Sequence, residues 1–136
     1  MIKGIGHAAY NVQDMKKSLH FYNECLGFKK LFEIEDDKGK PWIVYLKVTD
    51  GQFIELFYDG KKGAAVDTST DTGYNHLCLV YDDINEIAKQ LKDKGIVLDV
   101  EPMQGKDLNY QCWAKDPDGN RIEFMQMHPD APQLKY

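Results

Sequence analysis

The sequence predicts an α+β fold made of two paired copies of one strand–helix–three-strand module (βαβββ), and three observations predict it. First, Asp118-Gly119-Asn120-Arg121-Ile122-Glu123-Phe124-Met125 echoes Asp50-Gly51-Gln52-Phe53-Ile54-Glu55-Leu56-Phe57, 68 positions earlier. Second, Gly4-Ile5-Gly6-His7-Ala8-Ala9-Tyr10 and Gly73-Tyr74-Asn75-His76-Leu77-Cys78-Leu79 are strand-like runs with one His each, 69 positions apart. Third, His7 precedes Glu55 by 48 residues and His76 precedes Glu123 by 47, with a helical pattern ending in glycine (Gly27, Gly95) between them. Self-similarity at a fixed separation marks a repeated supersecondary unit, which needs its neighbour to bury a core. The predicted organisation is a single domain from an internal repeat: module one at 1–58, a linker at 59–72, module two at 73–128 and a tail at 129–136.

In module one, Ile2 to Val12 reads as a strand. Ile5, His7, Ala9 and Asn11 share one side, and Ala8, Tyr10 and Val12 the other. Asp14 is placed to cap a helix in which Met15, Leu19, Tyr22 and Leu26 recur at helical spacing until Gly27 stops it. Phe28 to Glu35 is predicted as a strand, Asp36 to Pro41 as a polar turn, and Trp42 to Val48 as the next strand. The Asp50-Gly51 turn opens the last strand, which sets Phe53, Glu55 and Phe57 on one face and Ile54 and Leu56 under the helix.

Residues 59–72 lack periodicity and are rich in Gly, Ala, Ser, Thr and Lys, the composition of a flexible linker that would allow exchange between chains. Module two repeats the order. A strand spans Tyr74 to Tyr81, and Asp83-Ile84-Asn85-Glu86 fits a capping box. Ile84, Ile87, Ala88 and Leu91 form the helix's apolar stripe. Ile96 to Glu101, Tyr110 to Lys115 and Asn120 to Gln126 are the following strands, with Pro102 to Asn109 predicted as a polar loop. The tail is predicted to be extended.

Composition narrows the function. Hydrophobic residues at 43% and charged residues at 29% are ordinary for a globular protein. No apolar run approaches the ~18 residues of a membrane span, and no secretory leader is read at the N-terminus. A net charge of −5 without a basic patch excludes nucleic acid and anionic membrane as expected partners. Three cysteines without C-x-x-C spacing argue for free thiols in a reducing compartment, so a cytoplasmic protein is expected.

The chemistry concentrates in four residues. His7, Glu55, His76 and Glu123 sit at matching places of the two modules and would converge if the modules pair edge to edge about a pseudo-two-fold axis. Imidazole nitrogen and carboxylate oxygen suit a divalent first-row ion, and four protein ligands leave positions open for water or substrate. His20 and His128 are read as surface residues. Cys78 shares a face with His76 but has no adjacent base to make it a nucleophile. Trp42, Tyr45, Tyr110 and Trp113 could wall an apolar pocket.

These paired modules, with the four residues in place and the Asp116-Pro117-Asp118-Gly119-Asn120 turn ahead of Ile122-Glu123, resemble the vicinal oxygen chelate superfamily, also called the glyoxalase/bleomycin resistance/dioxygenase family, over about residues 2 to 127. Within it the ligand set looks like that of glyoxalase I, the lactoylglutathione lyases. The resemblance implies one divalent metal ion per site, with nickel or cobalt favoured and zinc, manganese or iron possible. It implies a homodimer whose clefts are shared between chains, and a lyase or isomerase acting through an enediolate on a hemithioacetal or related 2-oxo/2-hydroxy compound. Glu123 would be the base, with Glu55 staying bound or taking the opposite stereochemical role.

Glyoxalases usually carry Arg four residues beyond the first His and Asn four beyond the first Glu, both serving glutathione. This chain has Asn11 and Asp59 there, which would weaken an anionic glutathione adduct. Lys106 lies in the loop that tends to hold a substrate carboxylate, and Trp113 is a further candidate substrate contact. Competing expectations are an epimerase, a resistance-type thiol transferase, or a protein that binds a drug or metabolite without chemistry.

Overall fold

A computed structural model describes residues 1–64 and 67–135. Ala65, Val66 and Tyr136 lie outside the described residues, so the linker and tail readings are followed only up to them. The chain divides into two compact units, Met1–Ala64 and Ala65–Tyr136.

The first unit runs β1 (His7–Asn11), α1 (Met15–Leu19), a π-helical turn (His20–Cys25), β2 (Lys29–Glu35), β3 (Pro41–Thr49) and β4 (Gln52–Phe57). Its sheet has the order β1-β4-β3-β2. The first and last strands therefore meet, in parallel, with His7 level with Phe53 and Ala9 level with Glu55. One face holds the core: Tyr10, Val44, Leu46, Ile54 and Leu56 are buried with Val12, just past β1, and with Phe21 and Tyr22 from the helical segment. Tyr22 is fully buried, with the Tyr10 and Phe28 rings each 6.1 Å from its own.

The second unit repeats the order: β5 (Leu77–Val80), α2 (Ile84–Asp93), β6 (Leu98–Gln104), β7 (Tyr110–Lys115) and β8 (Arg121–Gln126), in the sheet order β5-β8-β7-β6 with β5 parallel to β8. Ile84, Ile87, Ala88 and Leu91 are buried, as the helical stripe predicts, together with Cys112, Ala114, Ile122 and Phe124 of the sheet. The expected α+β fold of two βαβββ modules is what the chain adopts.

Local expectations needed correction in several places, among them the strand expected from Tyr74 to Tyr81, which spans only Leu77–Val80 and leaves His76 just ahead of it. The first strand begins at His7, leaving residues 2 to 6 exposed and outside the sheet, because β4 offers partners only from Phe53 onward. The first helix leaves α geometry after Leu19; Leu26 N–H bonds Phe21 O at 3.0 Å, and the widened turn lets Phe21, Tyr22 and Cys25 all reach the core. Pro102 to Gln104 belong to β6 rather than to a loop, since Met103 and Gln104 pair with Gln111 and Tyr110.

The α2 cap is half a capping box. Asp83 accepts from the backbone N–H of Asn85 at 2.8 Å and of Glu86 at 3.0 Å, while the Glu86 carboxylate accepts from Gln90 instead of turning back. Finally, the tail closes into a 3-10 turn over Pro132–Lys135, with Leu134 N–H bonding Ala131 O at 3.0 Å.

Candidate functional site

Each unit brings one His and one Glu together on the sheet face that its helix leaves uncovered. In the first, the parallel pairing of β1 with β4 puts His7 Nε2 3.5 Å from Glu55 Oε1. In the second, the same pairing of β5 with β8 puts His76 Nε2 3.0 Å from Glu123 Oε2. Two donors each about 2.1 Å from a common ion, at an angle between 90° and tetrahedral, stand about 3.0 to 3.4 Å apart. The His76–Glu123 pair falls within that spacing and the His7–Glu55 pair, at 3.5 Å, lies just beyond it; both have the atom types of metal ligands. Among the described residues, no group of three or more His, Cys, Asp or Glu side chains gathers at metal-binding distance.

Glu55 is buried, at 6% exposure, and a buried carboxylate needs partners. Besides His7 it has Tyr45, directly opposite on β3, whose hydroxyl donates to it; this bond, more than burial, holds the phenol above its usual pKa. Tyr45 was expected only as a pocket wall. The sequence signal was available: one strand over, at the register set by the Asp50-Gly51 turn, lies Tyr45.

Glu123 has different company. Cys78, level with it on β5, hydrogen-bonds it through the thiol, and burial first and the Glu123 charge second push that thiol up to about 12. This is a neutral thiol rather than a nucleophile, in line with the sequence reading. Trp113 stands opposite Glu123 on β7, with its ring edge-on to His76 at 4.7 Å. Arg121, two residues before Glu123 on the same face, lies 4.5 Å over the Trp113 ring. An open polar pocket of about 600 Å³ adjoins them, lined by Asp67, Thr68, Asp99, Lys115, Gly119 and Arg121. Arg121 escaped the sequence reading, although its i−2 offset from Glu123 on a strand put it on that face.

The remaining candidates are dispersed. Asn11 is exposed at the end of β1, level with Phe57. Asp59 adopts a left-handed backbone, φ 61°, and its exposed carboxylate is paired with Lys40. Lys106 is exposed in the 105–109 turn, which the buried Asn109 ties down by donating to Asp107 at 2.7 Å and accepting from His128 N–H at 2.8 Å. His20 is exposed and bonded to Glu24 at 2.7 Å, a surface role as predicted.

Comparison with known proteins agrees with this architecture. Residues 4–124 match the Glyoxalase/Bleomycin resistance protein/Dioxygenase superfamily, and the chain belongs to it. The probable lactoylglutathione lyase of Vibrio cholerae is 30% identical over 124 residues, 88% of each chain. The probable chloroplastic lactoylglutathione lyase of Arabidopsis thaliana is 30% identical over 94% of this chain, which spans 37% of that protein's length. Among solved structures, a glyoxalase family protein from Enterococcus faecalis superposes with a TM-score of 0.77 at 26% identity, covering 90% of this chain and 97% of its own. No helix among the described residues is long and apolar enough to cross a membrane.

Proposed function

We propose that the protein is a metal-dependent lyase or isomerase of the glyoxalase I type, acting on a hemithioacetal or a related 2-oxo/2-hydroxy compound. The observation that carries this reading is the duplicated pair: His7 with Glu55 and His76 with Glu123, at equivalent positions of the two sheets, with nitrogen and oxygen 3.5 and 3.0 Å apart. The four residues would hold one divalent ion, with nickel or cobalt preferred, and a homodimer in which two chains contribute ligands is the proposed assembly. A cytoplasmic location is part of the same reading. Bound there, the ion would supply Lewis-acid stabilisation for charge developing on two adjacent substrate oxygens.

The chain's own residues account for the rest. Glu55 is pinned by the Tyr45 hydroxyl and buried, which suits a carboxylate that keeps its position through turnover. Glu123 has a weak thiol donor and a flat indole beside it, and is the freer of the two. It would take the proton from the carbon next to the carbonyl and return it to the neighbouring carbon. His7 and His76 would hold position, and Trp113 would wall off water from His76. Asn11 and the Lys40-paired Asp59 offer no free guanidinium for a glutathione carboxylate, so a different thiol adduct is the proposed substrate.

The test is a calorimetric titration of chelator-stripped protein with nickel, cobalt and zinc. One ion per chain, lost in Glu55→Ala and in Glu123→Ala together with turnover of aldehyde–thiol adducts, is the expected result. If none of the three ions binds the intact protein, the reading is wrong and the sheet faces serve as a binding surface.

A further inference from the structure

We infer that Arg121 sets substrate specificity: its guanidinium binds a single carboxylate carried on the thiol arm of the substrate, an assignment that rests on the lyase reading above for its chemistry. The anion site itself stands on the surroundings of Arg121.

Two cations lie level on the sheet face that α2 leaves uncovered, Arg121 on β8 and Lys115 opposite it on β7. Lys115 Nζ is 3.5 Å from Asp99 Oδ2, so its charge is taken. The Arg121 guanidinium lies instead over the Trp113 ring, with Cζ 4.5 Å from the centroid. Its Nη1 reaches only neutral acceptors, Thr68 Oγ1 at 3.3 Å and Asn75 Oδ1 at 3.5 Å. Among the described residues no carboxylate pairs with Arg121, and its Nε and Nη2 have no hydrogen-bond partner. A guanidinium held over an indole and steadied at one nitrogen keeps its other N–H groups in a planar fork, the geometry that takes a carboxylate through two parallel bonds.

The adjoining pocket limits the charge that can enter. It is open, about 600 Å³ in volume, and its walls include Asp67 and Asp99 beside Arg121 and Lys115. Asp67 is engaged by the backbone N–H of Ser69 at 2.9 Å and by its hydroxyl at 2.6 Å, and Asp99 by Lys115, so neither neutralises Arg121. One guanidinium is left over, which suits one negative charge. A dianionic phosphate, or the second carboxylate of glutathione, would meet Asp67 and Asp99.

Position decides which part of the substrate carries that charge. Arg121 and Glu123 are two residues apart, about 6.6 Å along the strand, yet they form no ion pair, because the guanidinium is drawn aside onto Trp113. A carboxylate bonded directly to the reacting carbon would lie against Glu123 and be repelled by it. One borne several bonds away, on a compact thiol, reaches the guanidinium instead.

The experiment compares adducts that differ by one charge. Methylglyoxal is combined with mercaptoacetate or with mercaptoacetamide, and kcat/KM is measured for the nickel-loaded protein. Wild type should favour the carboxylate adduct by about 10- to 100-fold, the worth of a charge-assisted bidentate bond. Arg121→Gln should abolish that preference. Lys89→Gln, which removes the same charge from the exposed face of α2, should leave it intact. In parallel, proton–nitrogen NMR of the metal-free protein follows the Arg121 Nε–H, which mercaptoacetate should shift saturably and mercaptoacetamide should not.

Equal kcat/KM for the two adducts in wild type overturns the inference, as does an Nε–H signal that ignores mercaptoacetate; neither result needs a variant to fold. So does a preference that survives Arg121→Gln. If the nickel-loaded protein turns over neither adduct, the lyase reading falls instead, and the NMR titration alone decides whether Arg121 binds the carboxylate.

Discussion

Glu55 is the residue whose surroundings constrain its chemistry most. It is buried, a histidine lies within 3.5 Å and a phenol donates to it, so its carboxylate has little rotational freedom. Tyr45→Phe removes that donor and keeps the ring that stacks on Phe32 at 4.6 Å. Metal affinity should fall by about 10- to 100-fold, as for other outer partners of metal ligands, with little change in melting temperature; calorimetry and a thermal scan check the two halves. Phe124 tests packing rather than chemistry. It is fully buried beneath α2, on the face opposite Glu123, and Phe124→Ala should lower stability by about 3–5 kcal/mol in a denaturant melt.

At the level of elements, the strands and helices were readable because their causes are local. Ile84, Ile87, Ala88 and Leu91 recur at helical spacing, Asp83 caps them, and Gly95 at φ 77° ends them. Asp83→Ala removes acceptors from two backbone N–H groups and should destabilise the protein by about 1 kcal/mol, read as a lower denaturant midpoint at unchanged slope.

What escaped depends on neighbours rather than on sequence windows. The π-helical turn answers to where Phe21 and Tyr22 must pack, and the extension of β6 to Gln104 answers to β7. Gly60 is of the same kind. An added Cβ would stand 2.8 Å from backbone atoms of Asn11 and Val12, so Gly60→Ala should cost about 1–3 kcal/mol although the residue reads as ordinary linker. The four proposed ligands were legible from the repeat itself. Of their neighbours, Tyr45 was read only as a pocket wall and Arg121 was not singled out, because a contact with a proposed ligand leaves no periodic trace.

At the level of the molecule, buried neutral acids set the alkaline limit of stability. Burial raises the Tyr81 hydroxyl from 10.0 to about 12 and the Cys112 thiol from 9.0 to about 11. Each folded value exceeds the unfolded one, so the folded chain holds these protons more tightly. The stability they contribute is complete below about pH 9 and is lost as pH rises through 11 and 12. The denaturant midpoint should be level with respect to these groups up to pH 9 and then decline, by on the order of 2 kcal/mol or more in all. A midpoint that holds steady to pH 12 would contradict this.

The parallel pairing of the first strand with the last in each unit also dictates an order of events during synthesis. His7 can only find Phe53, and Leu77 only Ile122, after the whole intervening segment has left the ribosome. Until β4 emerges, β1 and β3 are both edges without the strand that joins them, and joining them closes a loop of more than forty residues. A nascent chain halted just short of Gln52 therefore displays two unpaired edges to its neighbours, while one halted beyond the first unit displays a finished sheet. The interval between those two lengths is where a holding chaperone has most to protect.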